Sequence, residues 1–323
     1  MILRTLLSAA ALLAALAAGA SPAIAAWPER PLRLIVPTTA GSVPDVIARL
    51  IGERLAEALG QQVVVDNRPG GGGTIGLQAL ARAAPDGYTL GLQTLPFVIT
   101  PALVPTMPYD IERDLQPVTL LDWNHAVLVV PASSPLTSVA DVVREARANP
   151  GALTYASGGN ATPSHLTFAL LEQQTGIRLT HVPYKGGPAA ATAVIAGEVN
   201  LYGASVGLAG TNVKAGKLRA LATSAPRRIA AMPEVPTLLE LGYAGVELSD
   251  WQGIVVPAGT PRDVVLHLHA ALARIIALPE VRARLGTLGM EPAGMGPDEF
   301  AAYQAGEMRK WHALVRTAGI RAD

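Results

Sequence analysis

The chain has 323 residues, half of them apolar, with equal numbers of acidic and basic side chains and a formal net charge of zero. This length and composition predict two domains of ordinary size, with enough apolar residues for a sizeable core. The absence of cysteine excludes disulfides and thiolate chemistry, and the lack of a basic patch argues against nucleic acid as a partner.

The first residues form a leader. Arg4 precedes a run of leucine and alanine at residues 6–18, and residues 23–25 read Ala-Ile-Ala. This order is typical of a secretory signal peptide, so residues 1–25 are expected to be removed after Ala25. The run is short for a membrane span, which needs about 20 residues. We therefore expect an exported protein, located in the periplasm of a Gram-negative bacterium.

A strand, a glycine-containing loop and a helix follow one another from residue 32 to residue 59. We expect Gly41 to give the loop backbone freedom, Ser42 to cap the helix, and Asp45 to complete a capping box. The unpaired N–H groups and positive dipole end of a helix N-terminus can hold an anion without a cationic side chain. An ordinary βα turn is the competing interpretation.

Short apolar runs alternate with amphipathic stretches through most of the chain. The predicted strands cover residues 32–36, 63–66, 88–92, 118–121, 126–130, 153–157, 179–182, 199–202 and 218–224. The predicted helices cover residues 46–59, 76–83, 139–148, 164–175, 189–196, 261–278, 279–288 and 297–318. This alternation predicts parallel sheets covered by helices on both faces.

The strand, loop and capped-helix pattern returns at residues 153–165. Thr162 is the expected N-cap of the second helix, and Pro163 its first residue. Ligands of open α/β sheets lie beyond the carboxyl ends of the strands, where such loops are found. Two lobes that face each other through these loops would form a cleft with an anion-binding wall on each side.

Ordered segments along the whole mature chain are similar to those of a known family. They are residues 27–31, 37–45, 65–70, 85–90, 157–165, 181–186, 216–221, 235–237 and 251–253. In these segments the chain resembles the periplasmic substrate-binding proteins of tripartite tricarboxylate transporters, also called the Bug family.

The resemblance implies a two-lobed, type II-like periplasmic-binding-protein fold, with mostly parallel sheets flanked by helices and a ligand cleft between the lobes. The first lobe would comprise residues 26–124 and 250–323, and the second residues 125–249. Loops 38–43 and 157–165 would hold the carboxylate of a small organic acid, partly through water. The ligand-binding residues expected are Thr38, Thr39, Ala40, Gly41, Ser42, Asp45, Thr94, Ser157, Gly159, Asn160, Ser164, His165, Ser205 and Trp251.

The same resemblance implies a monomeric binding protein rather than an enzyme. It would need no cofactor and no metal, and it would deliver its ligand to the permease subunits of a tripartite tricarboxylate transporter. A ligand-sensing module that docks on a receptor kinase has the same sequence features and remains an alternative.

Three positions depart from the family pattern. Thr38 stands where phenylalanine is common, Ser42 replaces a glycine, and Asn200 replaces an acidic residue. Losing an aromatic side chain at the cleft and gaining hydroxyl groups should favour a smaller or more polar ligand.

Two motifs suggest other functions. Gly71, Gly73 and Gly76 match the spacing of a dinucleotide-binding loop, but the turn is too long and the expected acidic partner is missing. Ser205 lies between Gly203 and Gly207, which matches the nucleophile elbow of a serine hydrolase.

The hydrolase alternative needs an acid and a histidine later in the chain, and Asp250, Asp263, His267 and His269 are available. Against it, Gly210 and Asn212 interrupt the helix that should follow Gly207.

Two side chains are hard to assign. His165, just inside a predicted helix, fits a ligand contact or a structural role equally well, and His181 fits a core or turn position better. The histidines are not spaced as a metal site.

Overall fold

The computed structural model describes residues 27–104 and 106–318, so the predicted leader lies outside the described residues. Its strands are β1 (Leu32–Val36), β2 (Val63–Asn67), β3 (Thr89–Thr94), β4 (Leu115–Pro131), β5 (Thr154–Ser157), β6 (Thr180–Pro183), β7 (Leu201–Ser205), β8 (Leu218–Thr223), β9 (Ser249–Pro257) and β10 (Met290–Met295). Its helices are α1 (Val43–Leu59), α2 (Thr74–Ala81), α3 (Leu95–Leu103), α4 (Ile111–Asp114), α5 (Val139–Ala148), α6 (Pro163–Thr175), α7 (Gly187–Ile195), α8 (Val206–Lys214), α9 (Arg262–Ala277), α10 (Pro279–Thr287) and α11 (Pro297–Ala318).

The strands form two sheets that share β4. The first sheet has the order β2-β1-β3-β9-β4, with β10 also paired to β4. The second has the order β6-β5-β7-β4, with β8 also paired to β4. Pairing is parallel between β1 and its neighbours and between β5 and its neighbours, as expected. The central strands pair antiparallel, because β9 returns in the direction opposite to β4.

One continuous strand replaces two predicted ones. Residues 118–121 and 126–130 were expected as separate strands, whereas β4 runs unbroken from Leu115 to Pro131. Residues 115–125 pair with β9, and residues 126–131 pair with β7 and β8. Residues 122–125, which lie between the two predicted strands, are extended in the structure, where the chain crosses from one sheet to the other.

The direction of β4 decides which edges of the two sheets face each other. It runs parallel to β1 and β3, because both β3 and β4 are antiparallel to β9. It therefore leaves the first sheet at the edge where β1 and β3 end. It is antiparallel to β7, so it enters the second sheet at the edge where β5 and β7 end. The two carboxyl edges consequently oppose each other across a cleft.

Helices cover both faces of each sheet. On one face of the first sheet, apolar residues of α1 and α9 at helical spacing pack together, including Ile47, Ile51, Leu268 and Leu272. Helices α2, α3 and α11 cover the other face. The same apolar core continues into the second lobe, where α5 and α6 cover it. Helices α7 and α8 cover the remaining face of the second sheet.

Three helices were not predicted: α3, α8 and α4, which is a single turn of four residues. Helix α3 is apolar on nearly all sides, and Leu95, Val98 and Ile99 are fully buried. A helix buried all round lacks the amphipathic period by which helices are recognised in sequence. Helix α8 forms in spite of Gly210 and Asn212.

No single helix within residues 27–104 and 106–318 has both the length and the apolar composition of a membrane span. Helices α9 and α10 pass that test only as a pair, and they are bent by 72° relative to each other.

Candidate functional site

The first cleft loop, residues 38–43, begins directly after β1. Thr39, Ala40 and Gly41 are exposed, and Gly41 has a φ of 80°, a conformation that favours glycine. Ser42 is the N-cap of α1, but its side chain does not bond the helix. Its hydroxyl instead lies 2.8 Å from the Thr38 hydroxyl. The helix begins close to the predicted residue, but the side-chain hydrogen bonds of the predicted capping box are not formed.

Asp45 supports this loop from behind. Its buried carboxylate accepts hydrogen bonds from Gly41 N–H (2.8 Å), Asn67 Nδ2 (2.9 Å) and Arg49 Nε (3.1 Å). Burial alone would raise the pKa of Asp45, but these hydrogen bonds outweigh it and hold the pKa below its ordinary value. A buried carboxylate that is already bonded in this way is not a ligand contact. Asp45, predicted to bind ligand, is a positioning residue.

The Asp45 interactions change which loop amides can bind an anion. Gly41 N–H is bonded to Asp45, and Ser42 N–H donates to the Thr39 carbonyl at 3.2 Å. The amides of Thr39, Ala40 and Val43 are left as the candidates, together with the hydroxyl groups of Thr38 and Ser42.

Sequence reasoning missed Asn67. It ends β2, and the parallel register places it beside Val36, the last residue of β1. Its side chain donates to the Thr38 carbonyl (3.2 Å) as well as to Asp45, and its oxygen accepts from Arg49 (3.1 Å). Only the strand order reveals that this asparagine lies next to the loop.

The second cleft loop, residues 157–165, connects β5 to α6. Ser157 is fully buried, and its hydroxyl lies 2.9 Å from the Gly159 carbonyl and 2.6 Å from His181 Nε2. Gly159 N–H also donates to this hydroxyl, at 3.1 Å. Ser157 therefore holds the loop together rather than facing the cleft, which corrects its expected role as a direct contact.

Helix α6, which follows this loop, has the predicted N-cap and first residue. Thr162 is the N-cap of α6 and Pro163 its first residue, but the Thr162 hydroxyl donates to the Gly159 carbonyl (2.7 Å) rather than to the helix. Ser164 is buried, and its hydroxyl accepts from Gly158 N–H at 3.4 Å. The half-buried Asn160 lies between Gly159 and Ala161, in the bend that leads into the helix.

His165 and His181 stack on each other beneath the second loop. Their ring centroids are 4.0 Å apart, and Tyr155 stacks on His181 at 4.9 Å. His165 Nδ1 accepts the Ala161 N–H (3.2 Å), at a residue whose φ is 56°. Burial, aided by His181, lowers the pKa of His165 to about 4. The ring is therefore neutral, and its Nδ1 supports a bend in the loop instead of binding a ligand.

The central strands form the floor between the two loops. Thr94 at the end of β3 is opposite Gln252 on β9, and Gln252 is opposite Asp122 on β4. Asp122 is fully buried, 3.4 Å from Gln252 Nε2, and burial, with Asp250 nearby, raises its pKa well above the ordinary value. Thr94 is itself buried, which limits its contact with a ligand to the cleft edge of its side chain.

Trp251, expected to line the cleft, faces the core. Its side chain is fully buried and makes edge-on contacts with Phe300 (5.4 Å) and Tyr303 (6.2 Å) of α11. Successive strand residues point to opposite faces, so Gln252 takes the other side. The prediction that Trp251 is a cleft wall is wrong.

Ser205 ends β7 at the cleft edge, opposite Ala126 of β4, and is half-buried. Helix α8 begins directly after it, so the strand–serine–helix order of a hydrolase is present after all. The backbone of Ser205 is nevertheless ordinary extended chain (φ −61°, ψ 153°), without the strain of a nucleophile elbow.

The expected hydrolase partners lie elsewhere. His269 Nδ1 bonds Thr119 (2.8 Å), His267 packs edge-on against Trp27 (5.7 Å), and Asp263 is exposed on α9. Within the described part of the chain, no histidine or carboxylate is hydrogen-bonded to Ser205, and no group of three His, Asp or Glu side chains is arranged to hold a metal.

Two remaining sequence features are structural. Gly76 packs so closely on the first lobe that a Cβ there would lie 2.9 Å from Pro37 Cα and from the Arg68 carbonyl. Asn200 accepts from Thr154 N–H (2.8 Å) at the start of β5, on the edge of the sheet away from the cleft. The Asn200 departure therefore does not bear on ligand choice.

Comparison with known proteins identifies the family. Residues 47–320 match the model of the tripartite tricarboxylate transporter family receptor. The chain belongs to this family. It is 39% identical over 92% of its length to the UPF0065 protein in the tcbD-tcbE intergenic region of Pseudomonas sp. strain P51, covering 89% of that protein.

Two solved structures of family receptors share the fold and contain dicarboxylates. One is R. palustris Rpa4515 with adipate, with a TM-score of 0.79, 34% identity, and coverage of 92% of this chain and all of that one. The other is MatC from Rhodopseudomonas palustris with bound malate, with a TM-score of 0.74, 30% identity, and coverage of 90% and 100%.

Proposed function

We propose that this protein captures a small organic acid between its lobes and delivers it to the membrane permease of a tripartite tricarboxylate transporter. The supporting observation is the opposition of two cleft loops, each of which leads into a helix N-terminus, at the facing carboxyl edges of the sheets. The relatives with adipate and malate support a carboxylate as the ligand class.

The chemistry of the loops suits a carboxylate. Amides at the start of α1 and α6 and the Thr38–Ser42 hydroxyl pair donate hydrogen bonds, and both helix dipoles favour a negative charge. A hydrogen bond to a charged group contributes about 1.5–3 kcal/mol. Four or five such bonds support micromolar affinity after the cost of closing the lobes.

Closure around the ligand would exclude water and strengthen these bonds. The closed form would then be recognised by the permease. The first residues resemble a secretory leader, which fits an exported protein that delivers its ligand in the periplasm. We further propose that the protein is monomeric and performs no catalysis.

A thermal-shift screen followed by calorimetry tests the ligand class. The panel should contain adipate, malate, citrate, a large aromatic acid, an amino acid and an uncharged sugar. We expect stabilisation by small carboxylates, no effect of the sugar, and a preference for the smaller and more polar acids. A preference for large aromatic acids would contradict the ligand size, and stabilisation by sugar alone would contradict the proposal.

The hydrolase alternative has a separate test. The wild-type protein and Ser205→Ala should both fail to turn over p-nitrophenyl esters, while wild type binds a carboxylate. Turnover by wild type that is lost in Ser205→Ala would replace the transport proposal.

A further inference from the structure

A pocket of about 580 Å³ lies at the junction of the two lobes, and the proposed carboxylate site does not account for it. We name it the hinge pocket. Residues of α10 and β10 line it on the side of the first sheet, and residues 227–231 line it on the side of the second. His125, in the crossing part of β4, lies between them. In the described chain, neither cleft loop contributes a lining residue.

The side chains lining the hinge pocket carry more positive than negative charge. They include three guanidinium groups, of Arg227, Arg228 and Arg282, and one carboxylate, of Glu291. Arg228 is already bonded to Glu240 (3.0 Å). Arg282 makes no ion pair with any described residue. An uncompensated arginine in a concave site presents donors that match an oxyanion.

An ion pair between Arg227 and Glu291 crosses the pocket. Arg227 Nη2 lies 3.3 Å from Glu291 Oε2, and the Arg227 side chain is 79% exposed. This long, solvated contact joins the second lobe to the first. It is weak enough for an anion to compete with Glu291 for the guanidinium.

His125 supplies the second, independent indication of a ligand. Its side chain is 6% exposed, it lines the pocket, and its Nδ1 has no hydrogen-bond partner among the described residues. Burial lowers the pKa of His125, and the positive charge of Arg227 lowers it further. The negative charge of Glu291 and a hydrogen bond to the Leu248 carbonyl act in the opposite direction. The imidazole is thus neutral. Its one N–H is donated to the Leu248 carbonyl, so the unpartnered Nδ1 is a buried acceptor. A buried polar atom without a partner is rare in native proteins, because it loses its water without compensation.

We propose that the hinge pocket is a second binding site, specific for a small multivalent oxyanion such as phosphate or a polycarboxylate. Arg282 and Arg227 hold the charge from opposite lobes, and His125 Nδ1 accepts a hydrogen bond from an O–H of the ligand, a group that hydrogen phosphate and citrate both carry. Because its ligands come from both lobes, occupation favours the arrangement of the lobes that brings the two arginines together. The site therefore couples to carboxylate binding in the cleft.

Calorimetric titration of the full mature protein with inorganic phosphate, and separately with citrate, tests the proposal at constant ionic strength. We expect saturable binding by wild type and at least tenfold weaker binding by Arg282→Gln. Glu291→Gln, which removes the competing carboxylate, should bind several-fold more tightly. Arg284→Gln is the matched control, since Arg284 is an exposed arginine of the same helix that does not line the pocket. Because citrate can also bind between the cleft loops, only the citrate binding that Arg282→Gln weakens is assigned to the hinge pocket. Phosphate binding alone would assign the site to inorganic anions, and Arg282-dependent citrate binding alone to polycarboxylates.

A magnetic-resonance titration locates the occupant. The imidazole resonances of His125, identified by their loss in His125→Gln, should shift on addition of the anion in wild type but not in Arg282→Gln. Equal affinity of wild type and Arg282→Gln, or an anion that leaves the His125 resonances unchanged, would overturn the proposal. Neither result would bear on carboxylate binding by the cleft loops, which the thermal-shift panel measures separately.

Discussion

The Thr38 and Ser42 hydroxyls lie 2.8 Å apart across the first cleft loop. These two side chains, four residues apart in the chain, contact each other. In such a pair one hydroxyl donates to the other, so one O–H hydrogen remains available. The pair thus gives the loop an oriented hydrogen-bond donor.

Replacing Thr38 by valine keeps the side-chain shape but removes its hydroxyl. If the pair donates to a ligand carboxylate, affinity should fall about 10- to 100-fold, the equivalent of one charge-assisted hydrogen bond. Calorimetry with the best carboxylate of the panel measures this. Thr192→Val, at an exposed position of α7, is the control, and equal affinities for the two variants would place the ligand away from Thr38.

Replacing Asp45 by asparagine should both weaken ligand binding and destabilise the fold. An asparagine has one acceptor oxygen, so it cannot accept from Gly41 on one side and from Asn67 on the other, and we expect a loss of about 1–3 kcal/mol in the free energy of unfolding at pH 7. Urea unfolding measures it, with the exposed Asp263→Asn as control. A stability change within about 0.5 kcal/mol would show that the loop does not depend on Asp45.

The same carboxylate gives a pH dependence. Because its pKa is lower in the folded protein, ionised Asp45 stabilises the fold above the unfolded-state pKa of about 4. This contribution is lost as the pH falls through the lower, folded-state pKa. The stability difference between wild type and Asp45→Asn should therefore shrink between pH 5 and pH 3, and a constant difference would contradict the assignment.

Ser157 and Ser42 should behave differently when changed to alanine. Ser157 is fully buried and bonded to Gly159 and His181, so its loss should destabilise the fold by about 1–3 kcal/mol. Ser42 is half-exposed and should change stability by less than about 0.5 kcal/mol while weakening ligand binding. Thermal unfolding and calorimetry on both variants separate the two roles. The reverse order of stabilities would show that the second loop does not rely on Ser157.

Gly289→Ala should disturb how the lobes meet. Gly289 has a φ of 78°, and a Cβ there would overlap the Gly207 backbone nitrogen and lie 2.9 Å from Val206 Cβ. The lobes must move apart to relieve this contact, so we expect a larger radius of gyration by X-ray scattering and weaker carboxylate binding. Gly286→Ala, three residues earlier and with open space around it, is the control. An unchanged radius and affinity would show that the contact does not hold the lobes.

The sequence predicted the outer strands and most helices well, because their periodicity and caps are local signals. Helix α3 and the unbroken β4 were missed because complete burial and the crossing between sheets are tertiary properties. Within the cleft, the positions of the two loops could be predicted from their caps. The roles of individual side chains could not, since Asp45 and Ser157 are buried and bonded within the loops, and His165 stacks on His181. The role of Asn67 could not be predicted, because it depends on the pairing of β2 with β1.

Strand β4 also governs the order in which the protein can fold. The first sheet needs β9 between β3 and β4, and β9 begins only at Ser249. The first sheet therefore cannot complete its hydrogen bonding until the last quarter of the chain has been synthesised, whereas the strands of the second sheet all precede β9. Synthesis is thus nearly finished before the first sheet can form. Because both sheets share β4, heat should later melt both halves in one calorimetric step.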